Sequence, residues 1–259
     1  MKGIRFIIGL FIFVLAVWVI VNRLPKSSKV IRIPPFSSAP SVTPSDIPIQ
    51  TIVFKDKTYA YAFFSVSPEN QVMLLPNFTD KASSLDIAAK NSCIYGINGG
   101  FYDTNSMPLG GFKSLHSLVK KPVKNRLIDG FIWQSDTKRA ITLSEPPDDS
   151  QWYLQTGPLL YHNSVATSIS IANDEYRRRS VAGISKDNHL FFFSIYNPES
   201  VYEGPLLSDM PSIMNQINAQ EPFVLVEAIN LDGGSASAFV TKEKTLQEFS
   251  PIGSFFCAK

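Results

Sequence analysis

Two apolar runs in this chain end alike, in a polar residue and a Gly-Gly pair, and no other feature narrows the fold so far. The first is Ile94-Tyr95-Gly96-Ile97-Asn98-Gly99-Gly100-Phe101-Tyr102-Asp103. The second is Glu227-Ala228-Ile229-Asn230-Leu231-Asp232-Gly233-Gly234-Ser235-Ala236-Ser237. A short apolar run bounded by turn residues fits a buried strand, and glycine lets the backbone approach a neighbour closely or take positive φ. Each run therefore delivers polar atoms to the tip of a buried element, and two such tips are expected to form two walls of one site. The competing reading of each tip is a plain tight turn, with Asp232 bonding the amides beside it.

With 259 residues, 44% of them apolar and 18% charged, the chain can bury a sizeable core. A formal charge of +2, with basic residues spread along the chain, gives no reason to expect a nucleic-acid partner. Cys93 and Cys257 have neither CxxC nor Cys/His spacing, which leaves one long-range disulfide outside the cytoplasm or two separately buried thiols. There is no GxxxxGK[ST] loop, no dinucleotide fingerprint and no HExxH around His116, His162 or His189. No cofactor is expected, and Asp232 with Asp103 makes thin grounds for a metal. Gly233-Gly234-Ser235-Ala236-Ser237 lacks the glycine two places after the serine that a nucleophile elbow requires.

Three regions are expected. Residues 1–23 contain the unbroken apolar run Phe6–Val21 between basic flanks. As a helix it would cover about 24 Å, enough to span a bilayer with local thinning. No small-residue cleavage site follows, so it reads as an uncleaved signal anchor. Basic residues on both sides leave its orientation open. Residues 24–50 are rich in Pro and Ser and read as a semi-extended tether.

Residues 51–259 form the globular part. Thr51–Phe54 and Thr58–Val66 read as a hairpin, and Ser84–Lys90 as a short helix capped by Ser83 or Ser84. Strands are expected at Asp129–Gln134, at Arg139–Leu143 and over Gln151–Tyr161 with a break at Gly157-Pro158. A second hairpin joins Arg177–Ser185 to His189–Ile195. An amphipathic helix over Leu207–Ile217 precedes the strand Pro222–Leu231. The fold class is α+β, a mixed but largely antiparallel sheet with a few packed helices, plus the N-terminal transmembrane helix.

Alternation along a strand puts Asn230 and Asp232 on one face and Glu227 on the other. Within Arg177-Arg178-Arg179 the same alternation sends one or two guanidinium groups into a site, where a planar fork matches phosphate oxygens; a solvated turn is the alternative.

Four segments in order, Ile97–Asp103, Gln155-Thr156-Gly157-Pro158-Leu159-Leu160, Arg178–Ile184 and Asn230–Ser235, together resemble the phosphodiester glycosidase family. The similarity runs from about Tyr59 to Val240. One departure is Glu227, where the family pattern has Asp; another is the absence of a basic closing strand after Ser250–Phe256.

The resemblance implies an exported hydrolase domain that cleaves the bond between a sugar's anomeric carbon and a phosphodiester, in exopolysaccharide or cell-envelope glycan metabolism. It casts Asp232 and Asp103 as the catalytic carboxylates and Arg178 and Arg179 as the cations that hold phosphate. Asn98, Gly99 and Gly100 on one tip, Asn230, Gly233 and Gly234 on the other, and Thr156 become substrate contacts. The partners are then a glycosyl phosphate or anionic glycan and, through the N-terminal helix, a membrane, with the globular part extracytoplasmic. A module that binds such a glycan without turning it over is the alternative.

Overall fold

The computed structural model describes residues 50–259; the anchor expected at 1–23 and nearly all of the tether expected at 24–50 lie outside them. Strand β1 (Gln50–Phe54) turns into β2 (Lys57–Val66) through Lys55-Asp56, both at positive φ, the geometry of a tight two-residue hairpin. Next come β3 (Val72–Pro76), helix α1 (Ser84–Asn91) and β4 (Tyr95–Asn98). Ser83 caps α1 by accepting the amide of Asp86 and donating to its carboxylate, a reciprocal cap that satisfies otherwise orphaned groups.

The chain continues through β5 (Phe112–Ser114), β6 (Ser117–Lys120), β7 (Gly130–Gln134), β8 (Arg139–Thr142) and β9 (Trp152–Thr156). After the cis Gly157-Pro158 bond follow β10 (Leu159–His162), β11 (Val165–Ala166), β12 (Arg179–Ser185) and β13 (Leu190–Tyr196). A short 3-10 turn, Leu207–Asp209, opens into α2 (Met210–Gln220), which leads to β14 (Leu225–Asn230). The last strands are β15 (Phe239–Val240), β16 (Thr245–Leu246) and β17 (Ser254–Ala258).

These strands build three sheets, in the orders β1-β2-β13-β12-β14-β10-β11, β16-β15-β4-β17-β3 and β6-β5-β9-β7-β8. The expected α+β class and largely antiparallel pairing hold, but the one mixed sheet is corrected to three, in which every strand pairing described is antiparallel. The reason lies in the two helical crossovers. β3 and β4 both pair antiparallel to β17, so they run in the same direction with the C-terminal strand inserted between them. In the same way β13 and β14, joined through α2, run parallel to each other on either side of β12. Each crossover would give a parallel pair, and in each a third strand occupies the gap.

Burial follows the period of two. In β13, Leu190, Phe192 and Tyr196 enter the central core shared by all three sheets, while Phe191, Phe193 and Ile195 face the layer beneath α2. α2 closes that layer with Met210, Ile213, Met214 and Ile217, a 3.6-residue stripe. α1 covers the second sheet with Ile87 and Ala88, against Phe255 and Cys257 of β17. Cys93 and Cys257 are joined as a disulfide, with Cα atoms 5.3 Å apart, which ties the end of α1 to the inserted strand. The expected break at Gly157-Pro158 is where the chain leaves one sheet for another.

Candidate active site

Both helical crossovers feed a strand that ends in Asn and then Gly-Gly, and the two ends meet. The amide of Asp232 donates to the carbonyl of Gly99 at 3.0 Å, and Asn98 Nδ2 donates to the carbonyl of Asp232 at 2.7 Å. The amide of Leu231 donates to Ser180 of β12, which holds the second tip against the seven-stranded sheet. Gly233 is required by space, because a Cβ there would stand 2.8 Å from the carbonyl oxygen of Arg178. Gly234 is required by conformation, with φ at +64°.

Beside this junction opens a cleft of about 310 Å³, lined by Phe101, Arg177, Arg179, Leu207, Asn230 and the run Asp232–Ser235. Asp232 is the one carboxylate among the lining residues. Burial pushes its pKa up to about 7, against the opposing hydrogen bond from the Gly233 amide at 2.9 Å. Its charge adds to burial in raising the Tyr102 phenol.

Arg179 is almost wholly buried, and its Nε and Nη2 are held by the carbonyls of Pro205 and Glu175 and by Asp174 Oδ1 at 3.2 Å. Burial draws its pKa down, partly offset by Asp174. Asp174 in turn accepts the amides of Leu207 and Ser208 at the start of the turn into α2. Burial opposes its ionisation, yet those amides and Arg179 hold its carboxyl below the usual range. Arg177 lies on the same side, is largely exposed and pairs with Glu175 at 2.8 Å.

Arg178, expected to hold phosphate, is not among the lining residues. It is fully buried, and its guanidinium donates to Ser237 Oγ, to the Ser237 carbonyl and to the carbonyls of Val201 and Gln247. Burial lowers its pKa to about 10. Alternation explains the swap: 177 and 179 share a side and 178 takes the other.

Four more expected contacts serve the scaffold. Asn98 spends all its polar atoms, with Nδ2 on the Gly99 and Asp232 carbonyls and Oδ1 accepting Ser180 Oγ and the Ala238 amide. Thr156 is buried and donates to the carbonyl of Asn230. At Gly99 and Gly100 an added Cβ would meet Ser254 Oγ and Leu154. Asp103 stands apart from the cleft lining, its Oδ1 accepting the amides of Asn105 and Met107 to brace a turn. Glu227 points away, bonded to His162 and the Asn163 amide.

The structure thus brings together Asn230, Asp232, Gly233, Gly234 and Arg179 from the expected set. It adds Arg177, Phe101, Leu207 and Ser235, with Asp174 behind. Arg177 was within reach of the sequence, through the same two-residue period that pairs Asn230 with Asp232. Asp174, in a loop with no pattern, left no such signal.

The sequence profile of the phosphodiester glycosidase family matches residues 91–255. No curated protein matches the chain by sequence. Among solved structures, the fold is similar to the catalytic domain of zebrafish N-acetylglucosamine-1-phosphodiester alpha-N-acetylglucosaminidase, described as auto-inhibited by its pro-peptide, at a TM-score of 0.61 and 16% identity over 81% of this chain and 80% of that one. It is also similar to a hypothetical protein from Synechocystis, at a TM-score of 0.62 and 13% identity over 81% of this chain and 61% of the other. The match covers most of the described residues and includes both Gly-Gly tips, and on it the chain belongs to the phosphodiester glycosidase family.

Proposed function

We propose that this domain hydrolyses sugar-1-phosphodiesters at the bond between the anomeric carbon and the phosphate oxygen. The observation that carries the reading is one cleft in which a single carboxylate, Asp232, shares the lining with two guanidinium groups, Arg177 and Arg179. A phosphate leaves without being protonated, so the departing side needs cations more than a general acid. Ordinary glycosidases pair two carboxylates; here one suffices. Water attacks C1, its proton passes to Asp232, and the C1–O bond breaks with its electron pair going to the phosphate monoester on Arg177 and Arg179.

The Cys93–Cys257 disulfide supports a domain working outside the cytoplasm. The run Phe6–Val21 supports a membrane anchor, and a substrate among envelope glycosyl phosphates or exopolysaccharides follows from that placement. The lone carboxylate also favours a second reading, a module that holds such glycans without cleaving them.

Hydrolysis of a synthetic glucosyl phosphodiester in oxygen-18 water decides among these. Label in the released sugar is expected. Label in the phosphate would identify a phosphodiesterase instead, and saturable binding without product would establish the binding module.

A further inference from the structure

One residue lining the cleft carries a buried acceptor that no described residue bonds. Asn230 is 2% exposed and lines the cleft. Its Nδ2 donates to the carbonyl of Gly157 at 3.0 Å, its amide donates to the carbonyl of Pro158, and its own carbonyl accepts from Thr156 Oγ1. With Nδ2 fixed by Gly157, the orientation of the amide is fixed too. Its Oδ1 has no hydrogen-bond partner among the described residues. A buried acceptor left unpaired costs about 1–3 kcal/mol, and such atoms are rare enough in folded proteins that each asks for an explanation.

A ligand that brings a donor to that point supplies one. Two residues on, Asp232 lines the same cleft and faces the reacting carbon in the mechanism above. β14 ends at Asn230, and two residues of chain span at most about 7 Å, a distance that a C1–C2 bond, a C2 substituent and one hydrogen bond can bridge. Of the two ring atoms bonded to an anomeric carbon, the ring oxygen can only accept. The donor must come from the substituent on C2.

We infer that Asn230 Oδ1 is a specificity-determining acceptor for a hydroxyl or acylamino N–H on C2 of the sugar, so that the cleft selects glycosyl phosphates carrying that donor over 2-deoxy sugars and over phosphate alone. This rests on the phosphodiester reading of the cleft. A pocket built to bond a substrate donor rejects the analogue lacking it, because its own polar group is then left buried and unpaired.

The test is calorimetric titration of the purified full chain with inorganic phosphate, α-glucose 1-phosphate, N-acetylglucosamine 1-phosphate and 2-deoxy-α-glucose 1-phosphate. At least one of the two C2-donor sugars is expected to bind about tenfold or more tightly than the 2-deoxy sugar, the loss that one missing hydrogen bond to a buried group brings. Asn230→Leu should level that difference and leave the affinity for inorganic phosphate unchanged. Equal affinity of the 2-deoxy sugar and both C2-donor sugars in the unmodified protein, which needs no variant to fold, would overturn the inference, as would discrimination that survives in a folded Asn230→Leu. Failure of phosphate and of every sugar phosphate to bind would overturn the phosphodiester reading itself, a different result from phosphate binding without a C2 preference.

Discussion

The two Asn and Gly-Gly strand ends are built by two crossovers of the same kind and touch each other, yet they carry opposite burdens. At the first, Asn98 has every polar atom bonded inside the protein and its glycines are fixed by Ser254 and Leu154. At the second, Asn230 keeps one acceptor unpaired among the described residues and Asp232 has its pKa pushed up to about 7 by burial. The perturbed carboxylate belongs to the second tip, and the first holds it in place through the Asn98 and Gly99 bonds to Asp232. Local sequence grammar specifies a tip; which tip faces the cleft with free polar groups is decided by what packs behind it.

The largest effect that can break this division is on turnover. Asp232→Asn should lower kcat on a sugar-1-phosphodiester by about a thousandfold or more, the scale on which a charge-stabilising or proton-accepting group is lost. Asp103→Asn, removing a carboxylate that braces a turn, should change kcat by less than about tenfold. In the proposed mechanism Asp232 accepts a proton as its ionised form, and on that reading kcat/KM should rise with pH through about 7.

Stability moves the other way. The folded pKa is raised, so the native state binds more protons than the unfolded chain between the ordinary carboxylate range and about 7, and stability falls as pH rises through that window. Asp232→Asn should therefore melt at a higher temperature than the unmodified protein at pH 8 and at nearly the same temperature at pH 4. Equal kinetic losses in the two variants would erase the distinction between the tips.

Much of this was visible in the chain itself. The period-two runs of β2, β12 and β13, the Lys55-Asp56 and Lys186–Asn188 turns, the capped α1 and the apolar stripe of α2 all follow from local pattern, as does the placement of Asn230 with Asp232. The insertion of β17 between β3 and β4 did not, because the pairing joins residues far apart in sequence and leaves no periodic trace. For Arg178, which lies away from the cleft lining, the reason is the opposite. The alternation was legible, but which face of the segment met the cleft depended on the loops carrying Val201 and Gln247, whose carbonyls claim that guanidinium.

Next in size is the structural tip. Asn98→Ala removes partners from the Asp232 and Gly99 carbonyls, the Ala238 amide and the Ser180 hydroxyl at once. The Gly99 carbonyl keeps the Asp232 amide and the Ser180 hydroxyl keeps Ser237. The Asp232 carbonyl and the Ala238 amide lose their partner, which should cost about 3 kcal/mol, a melting temperature lower by about 6–12 °C for a domain of this size. An unchanged melting temperature with lost activity would make Asn98 a substrate contact after all.

The arginines give a smaller contrast of the same kind. Arg177→Gln removes a largely exposed cation whose ion pair with Glu175 is worth about 0–1 kcal/mol. It should raise KM about tenfold, the worth of one charge-assisted phosphate contact, with the melting temperature unmoved. Arg178→Met should show the reverse, poor stability and, in whatever fraction folds, a KM near normal, since its bonds run to Ser237, Val201 and Gln247.

The smallest effect separates the glycines. At Gly99 a methyl group would stand 2.1 Å from Ser254 Oγ, so Gly99→Ala must displace a buried side chain. That hydroxyl has no hydrogen-bond partner among the described residues, and Ser254→Ala should restore most of the stability that Gly99→Ala loses, because the next atom, Ser254 Cβ, is 3.2 Å away and can give by a few tenths of an ångström. At Gly234 an added Cβ would make only ordinary contacts, the nearest 3.6 Å away on the Arg177 side chain, and only the positive φ opposes a side chain. Gly234→Ala should therefore cost about 1–2 kcal/mol, the penalty of a left-handed residue, with no second-site rescue from trimming Arg177. A rescue there would mean that space, and not backbone conformation, selects glycine at both tips.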